Sequence, residues 1–497
     1  MKGQDDFLLE EGSVFPGKTY VESVLKPVFE DQRDYLFEAM FDIHCAHVIM
    51  LSEQGILKKE EAAIMLRGIQ KTAEIDPASL FYNPKFEDLF FMMEAKIAEE
   101  IGGELAGKIH MGRSRNDMGV AMYRLVLREK LLSTIDAANA LSDALLNQAE
   151  HHTETYMTGY THTQPAQPTT LSHYFLAIYD VLQRDIARLW SAFEQVNQSP
   201  LGAAALTTTG FPISRARTCE LLGFRQVIEN AYDAIAGADY LLESASSIMV
   251  LMVDTGRWIN DFLQYVTREY GAFKVAEPYV QVSSIMPQKR NPVSIEHARS
   301  LASSAYSDAF AAMNMIHNTP FGDIVDTEDD LQPHLYRAAD KAVRVLTLMR
   351  AVIATLKVDG KKLMEGASKS CITITELADT LARDHDISFR KAHSIASAIA
   401  IRSAAEGKEL YEWKVSEINM IIQEFRVGIS LEKEQWERII SPKYFVKIRS
   451  IQGGPAPVEV KRMIEERMCA LERCCEKWRS TKEWLVNNQK ELRTKSL

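Results

Sequence analysis

Between about residues 118 and 358, apolar side chains recur every three or four positions in four long series. One runs Phe175, Ile178, Leu182, Ile186, Leu189, Phe193, Val196. A second runs Leu241, Ala245, Ile248, Met252, Thr255, Ile259, Phe262. A third is nearly all alanine: Ile295, Ala298, Ala302, Ala305, Ala309, Ala312, Ile316. The fourth is Ala338, Ala342, Val345, Met349, Val352, Leu356. Steps averaging ~3.5 put one stripe on each helix against a neighbour. At ~1.5 Å per residue, runs of ~20 residues or more give rods of ~30 Å or longer. The small alanine side chains let helix axes approach closely. The expected fold class is all-α, with a central long-helix bundle.

Residues 1–112 read as a mostly helical opening domain. Patterns surround Tyr35-Leu36-Phe37 and His47 to Leu51, and a helix from Phe86 to Ile101 stops at Gly102-Gly103, where glycine suits a C-terminal cap. The bundle is expected over 113–365. A smaller C-terminal helical domain follows over 366–497, with helices at Thr373–Ala382, Phe389–Ala405, Val415–Phe425 and Val458–Asn488. Tyr174, Leu242, Met249 and Leu251 lie outside the stripes. One buried stripe per helix suffices for a single bundle, so this surplus points to a second contact surface and a homo-oligomer.

The 497-residue chain is 46% hydrophobic and 25% charged, with a net charge of -11. An acidic balance argues against a nucleic-acid partner. No apolar run has membrane length. The N-terminus lacks the basic start and apolar core of a secretory signal. Six scattered cysteines without a Cys-x-x-Cys pair fit a reduced, cytoplasmic setting and no zinc site.

Three polar clusters interrupt the pattern. His110-Met111-Gly112-Arg113-Ser114-Arg115-Asn116-Asp117 places two guanidiniums, a hydroxyl and an amide beside a helix start, a setting suited to carboxylates. Ser114 or Asp117 could equally be helix caps. Gly159-Tyr160-Thr161-His162-Thr163-Gln164-Pro165-Ala166-Gln167-Pro168 carries a histidine, the side chain best placed to exchange protons near neutral pH. Its prolines favour an extended loop before the next helix. Gln281-Val282-Ser283-Ser284-Ile285-Met286-Pro287-Gln288-Lys289-Arg290-Asn291-Pro292 is an irregular loop with hydroxyls, a cationic pair and an amide. Glu296 follows it, on the first turn of the alanine-striped helix.

Ser-Ser-x-Met-Pro-x-Lys-x-Asn-Pro resembles the signature loop of the fumarase/aspartase superfamily. Gly-Arg-Ser-Arg-Asn-Asp and Gly-Tyr-Thr-His-x-Gln-x-Ala-Gln-Pro are similar to the matching loops of argininosuccinate lyases. The resemblance covers about residues 35–360. It implies a three-domain fold and a carbon–nitrogen lyase releasing fumarate from an N-succinyl amine, with argininosuccinate as the default substrate. It implies no metal or organic cofactor, a small anionic substrate, and a homotetramer whose active sites are shared between subunits. By the same resemblance Ser283 is the general base, Lys289 and Asn291 bind the carboxylate, and Ser114, Arg115, Asn116 and Thr161 hold the succinyl part. His162, supported by Glu296, serves the amine side. A different N-succinyl amine, such as ethylenediamine-disuccinate, is the alternative substrate. A non-catalytic structural relative is a further alternative, against which Ser283, His162 and Lys289 all stand. The sequence leaves open which amine leaves and which group protonates it.

The chain departs from the family pattern at definite places. His44 stands for a serine three before the histidine of Ala46-His47, and Phe90-Phe91 for a histidine after Glu87-Asp88. Ala238-Asp239 replaces Arg-Asp, and Val282 replaces a glycine. Phe15 to Thr19 replaces a Trp-Gly-Gly-Arg-Phe start. Phe321-Gly322-Asp323-Ile324-Val325-Asp326-Thr327 stands where a tyrosine and a glutamine are expected. The resemblance associates these positions with the amine part of the substrate, so a changed or broadened amine is expected, with argininosuccinate remaining the default.

Overall fold

The computed structural model describes residues 4–495. The ends of the expected terminal domains, 1–3 and 496–497, lie outside the described residues. Five long helices form the centre: α1 (Arg115–His151), α2 (Leu171–Val196), α3 (Asp239–Tyr265), α4 (Val293–Ile316) and α5 (Leu331–Ala354). The four stripes point inward. Their members are buried except Ile316, which is half-buried as the last residue of α4. α1 packs on α2 and α5, α3 on α2 and α4, and α4 on α5. The five stripe alanines of α4, Ala298, Ala302, Ala305, Ala309 and Ala312, are at most 2% exposed, which is how α3 and α5 both reach it closely. Leu251, read as surplus, is fully buried in this core, whereas Val250, Val253 and Phe310 are exposed.

Side-chain contacts show which helix ends meet. Arg124, near the α1 start, donates to the Gln195 carbonyl at 2.8 Å and lies 3.9 Å from the Tyr240 ring centroid. The α1 start, the α2 end and the α3 start therefore share one end of the bundle. At the opposite end, His152, Phe175, Phe262 and Phe273 form a chain of ring contacts. The expected extended loop at 159–168 is a β-hairpin there. Strand β1 (Tyr156–Thr161) pairs antiparallel with β2 (Gln164–Thr170). Pro165 and Pro168 fit because each strand has only one partner.

Before the bundle, helices at Lys26–Tyr35, Phe37–Glu53, Lys59–Ala73 and Leu89–Ile101 pack on one another, and Phe37–Glu53 packs on α1. Residues 377–439 have a core of their own. The last helix, α6 (Pro457–Thr494), does not share that core. It returns to the bundle through Val460, Met463, Leu471, Leu485 and Leu492. Trp478 donates to the Leu132 carbonyl at 2.9 Å, and Arg467 forks onto Asp180 at 2.7 and 2.6 Å. Among the described residues no helix is long and apolar enough to cross a membrane.

Ala305 is fully buried in α4. The Ala305→Leu variant forces α4 from its neighbours and should lose about 1–3 kcal/mol, read from the midpoint of urea unfolding. An unchanged midpoint would show that the alanine stripe does not set the helix spacing.

Candidate active site

The α1 start is built by its own backbone needs. Ser114 is the N-cap, and its hydroxyl accepts the Asn116 N–H at 3.3 Å while Asp117 accepts the Ser114 N–H at 2.9 Å. The two cap alternatives from the sequence thus act together, as a capping box. Asp117 also accepts from the Gly202 and Ala204 N–H groups, at 2.9 and 3.1 Å. Burial raises its carboxyl, and these N–H donors oppose the rise. Arg113 is buried beneath and donates to His44 Nδ1 at 2.9 Å. Arg115 and Asn116 then point outward. Arg115 pairs with Asp88 at 2.9 Å and lies 4.8 Å from the Phe91 ring centroid. Asn116 donates to Asp323 at 2.6 Å.

The second cluster is the hairpin tip. Thr161 pairs with Gln164, and the two turn residues, His162 and Thr163, have φ of 51° and 62°. That left-handed conformation costs a non-glycine residue roughly 1 kcal/mol or more. It gives the turn whose twist suits a two-residue hairpin. Thr161 and His162 are exposed.

The third cluster is closed at its neck. Strand β3 (Gln281–Val282) pairs antiparallel with β4 (Arg290–Asn291), Val282 opposite Arg290. Ser283 and Lys289 are therefore the two shoulders of the loop 283–289. The Ser283 hydroxyl accepts the Met286 N–H at 3.0 Å, and the Met286 carbonyl accepts the Lys289 N–H at 2.9 Å. Such a donor stabilises negative charge on the serine oxygen. The loop tip presents Ile285, 84% exposed. Glu296 is exposed on the first turn of α4.

Residues 31–306 match the lyase family and 371–447 the argininosuccinate lyase C-terminal family. Argininosuccinate lyase 2 of Agrobacterium fabrum is 41% identical over 90% of this chain and 89% of its own. The argininosuccinate lyase of Methanocaldococcus jannaschii is 35% identical over 86% of this chain and 87% of its own. A solved structure of an EDDS lyase variant with bound fumarate superposes with a TM-score of 0.85 at 31% identity, covering 93% of this chain and 94% of that one. The chain belongs to the argininosuccinate lyase family. It is a carbon–nitrogen lyase of the fumarase/aspartase superfamily.

In this family member a single chain does not gather the three clusters. Ser114, Arg115 and Asn116 sit at one end of α1, and Thr161 and His162 follow its other end. The 37 residues between span ~55 Å at ~1.5 Å each. Ser283, Lys289, Asn291 and Glu296 lie with the hairpin, since Tyr160 meets Tyr270 at 6.2 Å and Ser294 bonds the Tyr279 carbonyl at 2.9 Å. No hydrogen bond or ion pair among the described residues joins His162 to Glu296 or to Ser283.

Several of the departures noted in the sequence sit around the α1 start. Asp323 comes from 207 positions away to hold Asn116. His44 stacks on Phe90 at 6.1 Å and accepts from Arg113. His44 and Phe90, two departures far apart in the chain, are thus spatial neighbours. His47 donates through Nε2 to the Met111 carbonyl at 2.8 Å, anchoring the loop below.

Burial, then Arg113, push His47 down to about 3. An unfolded histidine titrates near 6.5. Its contribution to stability is whole above that pH and is lost as pH falls towards 3. His47→Gln keeps the donor and removes this titration. Between pH 6 and 5 its stability should vary less steeply than the parent by up to ~1.4 kcal/mol per pH unit, measured by urea unfolding. Equal slopes would show that His47 is protonated in the fold.

Proposed function

We propose that the protein eliminates fumarate from an N-succinyl amine, with argininosuccinate as the default substrate. The supporting observation is the Ser283 loop, where a hydroxyl already accepting a backbone N–H stands across a short neck from Lys289. Ser283 takes the proton from the carbon beside a carboxylate. The charge that collects on that carboxylate needs fixed donors, which Lys289 and Asn291 supply. The C–N electrons leave with the amine, and the carbon–carbon double bond of fumarate forms. Arg115, Asn116, Ser114 and Thr161 hold the succinyl carboxylates. Ser114 must share its hydroxyl with the helix cap. His162, oriented by Glu296, handles the proton on the amine side. The exposed loop tip at Ile285 closes over the substrate and excludes water.

The working particle is a cytoplasmic homotetramer, with the central segment 113–365 supplying all three clusters and the segments 1–112 and 366–497 flanking it. An antiparallel neighbour brings the α1 start of one chain beside the hairpin and the Ser283 loop of others. The exposed Val250 and Val253 on α3 and Phe310 on α4 offer apolar surface for that packing. An altered amine is the second reading, supported by the departures around Phe90, Ala238 and 321–327 and by the EDDS lyase likeness.

Purified protein given argininosuccinate should release fumarate, followed by ultraviolet absorbance. Ser283→Ala should lower kcat by about 10²–10⁴ with an unchanged circular dichroism spectrum. Activity kept by Ser283→Ala would remove that residue as the base.

A further inference from the structure

A cavity of about 820 Å³ shares no lining residue with the three polar clusters. It is bordered by α1, α6, the helix Phe37–Glu53 and the turn at Leu221-Leu222. Its α1 wall begins at Leu125, which lies ~15 Å along the rod from Arg115 at the helical rise. Phe37, Leu125, Leu222, Leu485 and Leu492 give it an apolar lining. Its volume falls within the range of small-molecule sites.

One charge on this wall lacks a bonded counter-ion. Arg33, Lys130 and Lys482 border the cavity, and each has a carboxylate of its own: Asp34 at 2.7 Å, Asp340 at 2.7 Å, and Glu129. The bordering carboxylates are committed too. Arg493 holds Asp42 at 2.6 Å and Glu38 at 3.2 Å, and Asp76 accepts the Ala78 N–H as a helix cap. Arg128 differs. It is 7% exposed, and its Nη1 donates to the Asn197 side-chain oxygen and to the Leu222 and Gly223 carbonyls, at 3.0, 3.1 and 3.0 Å. All three acceptors are neutral. Its Nε is enclosed without a hydrogen bond, and its Nη2 donates to no described residue. Among the described residues only the Glu129 carboxylate comes within 4.0 Å, and Lys482 already engages it. Burial lowers the guanidinium to about 10, so it keeps its charge at neutral pH. A buried cation is costly unless an anion meets it.

We infer that this cavity binds an organic carboxylate with an apolar body, its anionic end on Arg128 Nη2 and its body against the leucine lining. The three acceptors on Nη1 hold the guanidinium in place, and the remaining nitrogen offers a carboxylate a charge-assisted hydrogen bond. The neighbouring carboxylates are neutralised by their own partners, so they do not repel the incoming anion strongly. The occupant touches α1, α6 and the helix Phe37–Glu53 at once. It therefore ties the C-terminal helix to the bundle, and to the helix whose His47 anchors the Met111 carbonyl. A ligand held only by the folded chain raises its resistance to unfolding. The inference does not depend on the elimination reading.

1-Pyrenebutyrate and 1-pyrenebutanol share an apolar body and differ in charge. Equilibrium dialysis against the full-length protein at pH 7 should show one pyrenebutyrate bound per chain, about tenfold or more tighter than the alcohol. Arg128→Met should weaken the carboxylate about tenfold and leave the alcohol within about twofold. Val486→Trp changes the exposed rim and keeps Arg128. It should weaken both probes several-fold, and it decides the matter if the arginine variant does not fold. Pyrenebutyrate should raise the melting temperature of the parent and not of Arg128→Met. Excess fumarate should leave the pyrenebutyrate isotherm unchanged, because the cavity lies apart from the three clusters. No binding, equal affinity for acid and alcohol, carboxylate affinity unmoved by Arg128→Met or by Val486→Trp, or competitive displacement by fumarate would each overturn the inference.

Discussion

The length of α1 governs how this protein can work. A rod of 37 residues keeps Arg115 and His162 at opposite ends of the bundle, ~55 Å apart at the helical rise. The rod is stiff because both flanks are packed, α2 on one side and α5 on another. No local motion brings its ends together. On the roles proposed for Arg115 and His162, succinyl anchor and proton carrier would come from different chains. The exposed apolar residues of α3 and α4 are where such chains can meet.

What the long helices separate, short backbone devices hold in place. Asp117 gathers three N–H groups, so the α1 start and the loop at 202–204 form one block. The hairpin tip forces His162 into a left-handed turn, presenting it away from its own chain. The β3–β4 neck sets Ser283 beside Lys289 across a loop whose tip stays free. Each polar cluster is thus rigid at its root and exposed at its working end. That arrangement suits a site completed by assembly.

The bundle was legible because burial has a period. Stripes such as Phe175 to Val196 record which side of each helix faces its neighbours, and nearly every member is buried. The same patterns cannot say which core a helix joins. Val458–Asn488 looks like its C-terminal neighbours in sequence, yet α6 packs on the bundle. Leu251 shows the complementary failure, since a residue off the stripe still faces a second neighbour within the chain. The hairpin escaped notice because His162-Thr163 lacks the glycine or asparagine that usually marks such turns. Asp323 showed in the sequence only as part of a departure from the family pattern, and Glu328 not at all. The residues they face, Arg115, Asn116 and Tyr123, lie 200 or more positions away. Polar clusters show in sequence as interruptions of pattern; what faces them does not.

Subunit mixing tests the shared site most directly. Arg115→Ala and Ser283→Ala proteins, each inactive alone, would be unfolded together, refolded, and assayed for fumarate release. With the α1 start and the Ser283 loop drawn from different chains, some sites in a mixed particle escape both substitutions, and activity returns to a sizeable fraction of the parent. Mixed particles confirmed by native mass spectrometry that stay inactive would contradict the account.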